Sequence, residues 1–533
     1  METRDQAAPL PKTLVVHNRF GGQERSAAGP TYARRNPANR DDVVTVAPLS
    51  SRDEVREACE KARSAQREWA HVPAPQRAQV LVRLAELLRR EKEVLARFVS
   101  REVGKPLREA RGSVQEAIDT AEFFQSEGRR LYGQTVPSEL PLKELFTYRR
   151  PIGVVGVITA GNFPIAVPSW KLVPALLCGN AAVWKPSDDA PGCAALFADL
   201  WQRAGLPAGV LSVVHGGGAG SSGEYLVEQV DAGLLQKISF TGSTAVGRKI
   251  GEICGRNLQV PSLELGGKNP LVILADADIE LAVEGALWAS FGTAGQRCTS
   301  CGNVIVDKQV MPAVRERLLR RARELKIGDP RDESNDYGPF INERFLANWV
   351  RQRETGLADG AEILLDGQPI APGTEPRGFS GDARAGLFAT PRIFDRVKMD
   401  MRVAQEECFG PTVNRVEVDG LEEAIAAANA TPYGLSSAIY TRDARAMLRF
   451  KEEISAGMTS VNNSTTGAEA HLPFGGNGWS GNGTRESGVW VLDAYTRWQS
   501  VNVDLSGKLQ KAQIDLTDAA AAEAPDWAAL LPR

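Results

Sequence analysis

Between Ile152 and Phe240 the chain carries four short apolar runs separated by longer stretches of helical spacing, and no other feature restricts its fold so tightly. The runs are Ile152–Ile158, Ala181–Trp184, Val210–Val214 and Ile238–Phe240. They have the length and β-branched content of buried strands. Strands alternating with helices in this way predict a parallel sheet with right-handed crossovers. Such a sheet binds ligands beyond the carboxyl ends of its strands. A second α/β half is predicted from about Asn269: strand Leu271–Leu274, helix 278–290, strand Val304–Val306 and helix 311–325. Upstream, residues 53–69 and 75–98 read as amphipathic helices; in the second, Val80, Leu81, Leu84, Leu87, Leu88 and Leu95 recur at helical spacing. A third helix is predicted over 107–130 and carries Glu116. Residues 137–148 read as an extended ribbon, because Pro137 and Pro141 oppose a helix there.

With 533 residues, the chain is long enough for roughly two to four domains. Its 43% hydrophobic and 24% charged content is that of an ordinary soluble protein. A net charge of −3, with no basic stripe, gives no footprint for nucleic acid. The start of the chain lacks the apolar core of a signal peptide. No apolar run approaches the roughly 18 residues that would span a bilayer. Seven cysteines, an odd and scattered set, argue against a disulfide framework and for a reducing cytoplasm. The four histidines, His17, His71, His215 and His471, show no ligand spacing, so no metal is expected. The stretch Thr517–Arg533, rich in alanine and holding Pro525 and Pro532, reads as a tail that frays or packs on a neighbour.

The chemistry centres on Cys298, in Gly292-Thr-Ala-Gly-Gln-Arg-Cys298, a turn-rich segment that follows a helix. Small neighbours leave its sulfur accessible, and the charge of Arg297 is expected to favour the thiolate. Cys178, Cys193 and Cys254 stand in apolar contexts and read as core residues. Cys301 makes a Cys-x-x-Cys with Cys298; core packing is the plainer reading, and a reversible disulfide that parks the nucleophile is the alternative. Glu264 lies between two leucines in Leu263-Glu-Leu-Gly-Gly-Lys268. Partial burial there would raise its pKa into the range of a general base. A cysteine protease would need a histidine beside the thiol, and none has a comparable glycine-rich setting. Three strand ends offer anion or hydroxyl contacts: Trp184-Lys185-Pro-Ser-Asp188, the turn Thr241-Gly242-Ser243-Thr244, and Gly218-Ala-Gly-Ser-Ser-Gly223. Together they point to a nucleotide.

The ordered set Ala160-Gly-Asn162-Phe-Pro, Trp184-Lys-Pro-Ser, Ser239-Phe-Thr-Gly-Ser-Thr, Leu263-Glu-Leu-Gly-Gly-Lys, Gly295-Gln-Arg-Cys298, Gln405-Glu-Glu407-Cys-Phe409-Gly-Pro and Pro473-Phe-Gly-Gly resembles the aldehyde dehydrogenase superfamily over roughly residues 30–508. The resemblance implies an α/β fold with a Rossmann-type cofactor domain (1–130 and 150–267) and an α/β catalytic domain (268–470). It further implies a small β oligomerisation element (131–149 and 489–508), a tail (509–533), and a homodimer or homotetramer. By the same resemblance Cys298 is the nucleophile, Glu264 the base for the deacylating water, and Asn162 the oxyanion amide. Lys171 and Glu486 form the pair tied to proton exit. Lys185 and Glu407 hold ribose hydroxyls, Phe409 packs by the nicotinamide, and the Gly242-Ser243 turn meets the pyrophosphate. The 218–223 fingerprint is then a false one. A carboxylate at Asp188 would repel a 2′-phosphate, so NAD is expected as cofactor; NADP stays open because the family often has the longer glutamate there.

Within the family the texture resembles the aminoadipic semialdehyde (antiquitin-like) and pyrroline-5-carboxylate dehydrogenase branches, on Val114-Gln-Glu116, Gly295-Gln-Arg-Cys-Thr and Thr466-Gly467-Ala468-Glu469. That resemblance implies that Glu116 binds a substrate amino group and that Arg297, Gly467 and Ala468 bind its carboxylate. Glutamate or aminoadipate semialdehyde is the expected substrate, and a broad-specificity or succinate-type semialdehyde dehydrogenase is the alternative. Gly161 departs from the antiquitin pattern, which has a bulky phenylalanine there. A different class, a structural or redox-sensing subunit using Cys298 and Cys301, is opposed by the intact Glu264, Asn162 and Lys185.

Overall fold

A computed structural model describes residues 11–26, 29–218 and 220–510. The tail reading at Thr517–Arg533 lies outside the described residues. Two seven-stranded sheets carry the molecule, with a three-stranded ribbon beside them. In the first sheet the strands run in the order Ser262–Glu264, Lys237–Thr241, Val154–Ile158, Ala181–Lys185, Leu211–Val213, Asn18–Phe20 and Gln23–Arg25. The first five are parallel, and the last two join antiparallel. Succession along the chain runs outward in one direction from Val154–Ile158 and then restarts on its other side at Lys237–Thr241. That reversal opens a crevice at the carboxyl ends of these two strands.

Helices fill both faces. Ala74–Val103, Leu107–Glu127, Ala166–Leu177 and Pro191–Arg203 pack on one face around Leu84, Leu88, Phe124, Trp184 and Trp201. Arg52–His71 and Ser222–Asp231 cover the other, around Val55, Val183, Leu226 and Ile238. The second sheet is ordered Glu362–Leu365, Arg392–Asp395, Thr412–Val418, Cys301–Asp307, Asn269–Ile273, Ser436–Tyr440 and Met458–Val461, parallel except for its first pair. The third is the ribbon: Thr496–Asp504 pairs antiparallel with Lys143–Pro151 along its whole length, and Thr135–Val136 adds an edge.

The second helix runs to Val103, five residues beyond its predicted end, and stops where Gly104 turns left-handed at φ 76°. The third ends at Glu127 rather than 130. Glu264, for which the sequence reading gives no strand, is the last residue of a short strand, set opposite Thr241. That strand is too short to leave an apolar run in the sequence.

Candidate active site

The two sheets face each other across a cavity of about 1250 Å³. Its wall includes twelve of the fifteen residues expected at the site: Cys298, Asn162, Lys185, Asp188, Gly242, Ser243, Glu407, Phe409, Glu116, Arg297, Gly467 and Ala468. Glu264, Lys171 and Glu486 stand behind that wall, buried together.

Cys298 is half-buried at the end of a contorted loop. Thr293, Ala294 and Gly295 adopt φ of 51°, 53° and 68°, three successive left-handed residues of which only the last is glycine. Such backbone holds only where its surroundings over-determine it. Here the Glu109 carboxylate accepts from the Thr293 N–H at 3.0 Å and from the Thr293 hydroxyl. Gln296 Oε1 accepts from the Ile341 N–H at 2.8 Å, and Asn269 donates to the Cys298 carbonyl at 2.8 Å. Asn162 donates one amide hydrogen to the Gln296 carbonyl at 3.0 Å. The carbonyl partner fixes which side of the amide carries nitrogen. Its other amide hydrogen takes no part in that bond.

Arg297 does not activate the thiol as the sequence suggests. Its guanidinium is ion-paired with Glu109, lies 3.4 Å from the Thr293 hydroxyl and stacks 4.3 Å over Trp288. Burial, reinforced by the carboxylates of Glu407 and Glu264, pushes the Cys298 thiol up to about 12. Cys301 is sealed in the core at the start of its strand, with its sulfur toward the Asn303 carbonyl, and both thiols are free.

Glu264 is buried, and neither carboxylate oxygen has a hydrogen-bond partner among the described residues. Burial and the charge of Glu486 hold its pKa well above the carboxylate range, against the pull of Lys171 and Arg485. An unpaired carboxylate in such a place is stable only with its proton on. Beside it, Lys171 donates to Glu486 at 2.7 Å and to the Ser239 hydroxyl at 3.1 Å. The Tyr495 hydroxyl also donates to Ser239, at 3.1 Å.

At one end of the cavity are charged groups drawn from the third helix. Glu116 is half-buried, with its Oε2 buried and unpartnered; desolvation raises its pKa to about 7 against the pull of Lys105 and Arg297. Phe163, Val167, Trp170, Trp288 and Phe474 supply an apolar lining, with Trp170 and Phe474 4.8 Å apart. At Gly161 an added Cβ would stand 2.9 Å from the Asp189 Cβ and 3.0 Å from the Ser187 hydroxyl, so no bulky side chain fits the present backbone.

The opposite end fits a dinucleotide. Ser243 caps the helix Thr244–Arg256, whose free N–H groups open on the cavity. Lys185, buried at the end of its strand, presents an ammonium whose pKa burial lowers. Of two adjacent aspartates, Asp189 is tied to Arg34 at 3.0 Å and to Asn342 at 2.8 Å, while Asp188 is exposed at the cavity wall. Glu407 accepts from the Gly267 N–H at 3.0 Å, and burial raises it to about 7. Phe409, left-handed at φ 56°, packs 4.9 Å from Phe345. Gly218 and Gly223 also border the cavity.

Sequence reasoning missed Glu109, Lys105, Ser239, Tyr495 and the aromatic lining. Glu109 and Glu116 sit seven residues apart on one helix, a spacing that aligns them on one face; that was the available signal. Among the described residues no metal-binding cluster occurs, and no helix is long and apolar enough to cross a membrane.

The chain matches the profile of the Aldehyde dehydrogenase family over residues 24–501. It is 36% identical over 480 residues to the alpha-ketoglutaric semialdehyde dehydrogenase of Bacillus subtilis (strain 168), covering 90% of this chain and 96% of the relative. It is 38% identical over 486 residues to the malonate-semialdehyde dehydrogenase 2 of Geobacillus kaustophilus (strain HTA426), covering 91% and 97%. The crystal structure of an NAD-dependent aldehyde dehydrogenase from Sinorhizobium meliloti superposes with a TM-score of 0.88 at 33% identity, over 93% of this chain and 96% of that one.

Proposed function

Because the chain belongs to the aldehyde dehydrogenase family, we propose that it oxidises a short semialdehyde with a terminal carboxylate to the diacid, through an acyl group carried on Cys298. It is an oxidoreductase, with NAD or NADP as cofactor. The observation that carries the substrate reading is the Lys105 ammonium on the cavity wall it shares with Cys298, without a hydrogen-bond partner among the described residues, the charges of Arg297 and Glu109 being spent on each other.

The chain's own groups account for every step except acceptance of the hydride. Cys298 adds to the aldehyde carbon after yielding its proton, and the carbonyl oxygen becomes an alkoxide. The free Asn162 N–H and the Cys298 backbone N–H receive that charge, each worth about 3 kcal/mol. The bound oxidised nicotinamide supplies the hydride acceptor and a positive ring. The acyl group remaining on Cys298 is a thioester. Glu264, once ionised, draws a proton from water, and the resulting hydroxide displaces the thiolate. Lys171, Glu486 and Ser239 lie where that proton can be relayed away.

In this reading the 262–264 and 154–241 strands with their helices form the cofactor half, and the 269–461 sheet forms the catalytic half. The ribbon is an oligomerisation element of a dimer or tetramer. A glutarate-type skeleton is preferred to the aminoadipate skeleton. The names of these relatives carry no amino group. Steady-state oxidation of 2,5-dioxopentanoate, 4-oxobutanoate, glutamate semialdehyde and butanal under saturating NAD tests it. 2,5-Dioxopentanoate and 4-oxobutanoate should have the highest kcat/KM, and butanal turning over as well as either would overturn the reading.

A further inference from the structure

Lys105 is 1% exposed, yet its ammonium has no hydrogen-bond partner among the described residues. Its backbone is pinned on both sides. Gly104 turns left-handed at φ 76° with its N–H on the Ser100 carbonyl at 3.0 Å, and the Leu107 N–H donates to the Pro330 carbonyl at 2.8 Å. The stem therefore enters the cavity from a fixed root, and the Nζ comes to lie 3.3 Å from the centre of the Phe163 ring. Phe163 directly follows Asn162, whose amide donates to the Gln296 carbonyl, two residues before Cys298. The ring attracts the ammonium from one side and leaves its other hydrogens unmet.

The nearby charges do not meet them. Glu109 is ion-paired with Arg297 and bonded to Thr293. Glu109 and, more weakly, Glu116 attract Lys105 through space, but neither hydrogen-bonds it, and the Glu116 Oε2 is itself without a partner. A buried ammonium held this way is a built receptor for an anion that comes and goes. Lys105, Phe163 and Cys298 line the same cavity, so a short molecule bound covalently at the sulfur shares that space with the ammonium.

We propose that Lys105 anchors the substrate's carboxylate, gripping the end of the semialdehyde remote from the reacting carbon. The inference rests on the semialdehyde reading above and adds the group that enforces it. Arg297, expected from the sequence to bind that carboxylate, then serves to hold the nucleophile loop through Glu109.

The test compares 4-oxobutanoate with butanal, equal in carbon number and differing in the carboxylate, under saturating NAD, in the wild type, K105M and K105R. The expected result is a wild-type preference for 4-oxobutanoate in kcat/KM that falls by about tenfold or more in K105M, the scale of one lost charged hydrogen bond. K105R should keep part of the preference. A wild-type enzyme without preference overturns the substrate reading and the anchor with it. A wild-type preference that survives intact in K105M overturns the anchor alone. Wild-type protein also gives a test independent of the variant's folding: succinate should inhibit butanal oxidation competitively where the uncharged succinamide does not, and equal inhibition by the two overturns the proposal.

Discussion

A thiol pushed up to about 12 exists as thiolate only to roughly one part in 10⁵ at neutral pH. The carboxyl of Glu264, which draws the proton from the deacylating water, is raised as well, by burial and by the charge of Glu486. Both groups are raised, so both lose their protons only as pH climbs. kcat/KM measured with NAD and an ω-oxo acid should accordingly rise from pH 6 into the alkaline range, with no falling limb near neutrality; a profile that peaks below pH 7 would contradict the assignment. Glu264→Gln keeps the shape and removes the base. Deacylation should then slow by about 10²–10⁴, and rapid quench should trap the acyl group on Cys298. Unslowed turnover in that variant would remove Glu264 from the mechanism. For Asn162→Ala a fall of about 10²–10³ in kcat is expected from the loss of one oxyanion donor, with circular dichroism unchanged.

At the scale of elements, the third helix governs the site more than its sequence announces. Glu109, on its first turn, holds Thr293 and Arg297, and so supports three left-handed residues ahead of the nucleophile. Glu109→Ala leaves a buried guanidinium unpaired, a change that costs about 3–5 kcal/mol. Thermal unfolding should therefore shift to lower temperature, and alkylation of Cys298 by iodoacetamide should lose its single rate. An unaltered melting curve would show that the pair contributes no stability. The parallel strands and their helices were readable because burial on both faces writes continuous apolar runs. Cys298, Asn162 and the strand-end glycines were readable because their motifs are local. Glu109 was not: its partners lie 184 and 188 positions away, and an isolated glutamate on an amphipathic helix looks like any solvated one. Arg297 misled for the same reason, since adjacency to Cys298 in sequence said nothing of where its side chain goes. Ser262–Glu264 was missed because three residues are too few to show a period.

At the scale of the molecule, the ribbon Lys143–Pro151 with Thr496–Asp504 carries exposed Tyr148 and Trp498, and Leu505 just beyond it is exposed too. Arg149 stacks over Trp498 at 4.1 Å, which leaves the indole's other face open. A narrow ribbon with aromatic side chains in water is marginal alone and is stabilised by pairing with another surface. The strand Thr496–Asp504 begins immediately after Tyr495, whose hydroxyl meets Ser239 in the cluster of Lys171 and Glu486. Asn180 clamps that junction, donating to the Tyr495 and Ala175 carbonyls at 2.9 Å each. Anchoring the ribbon in a neighbouring subunit would thus also steady the groups behind Glu264. Trp498→Glu combined with Tyr148→Glu should convert an oligomer to monomer in sedimentation velocity. It should also lower kcat more than it raises KM, because the cavity is untouched and only the relay's root is loosened. A wild-type chain that sediments as a monomer would refute the interface. An obligate monomer with full kcat would separate the ribbon from the relay.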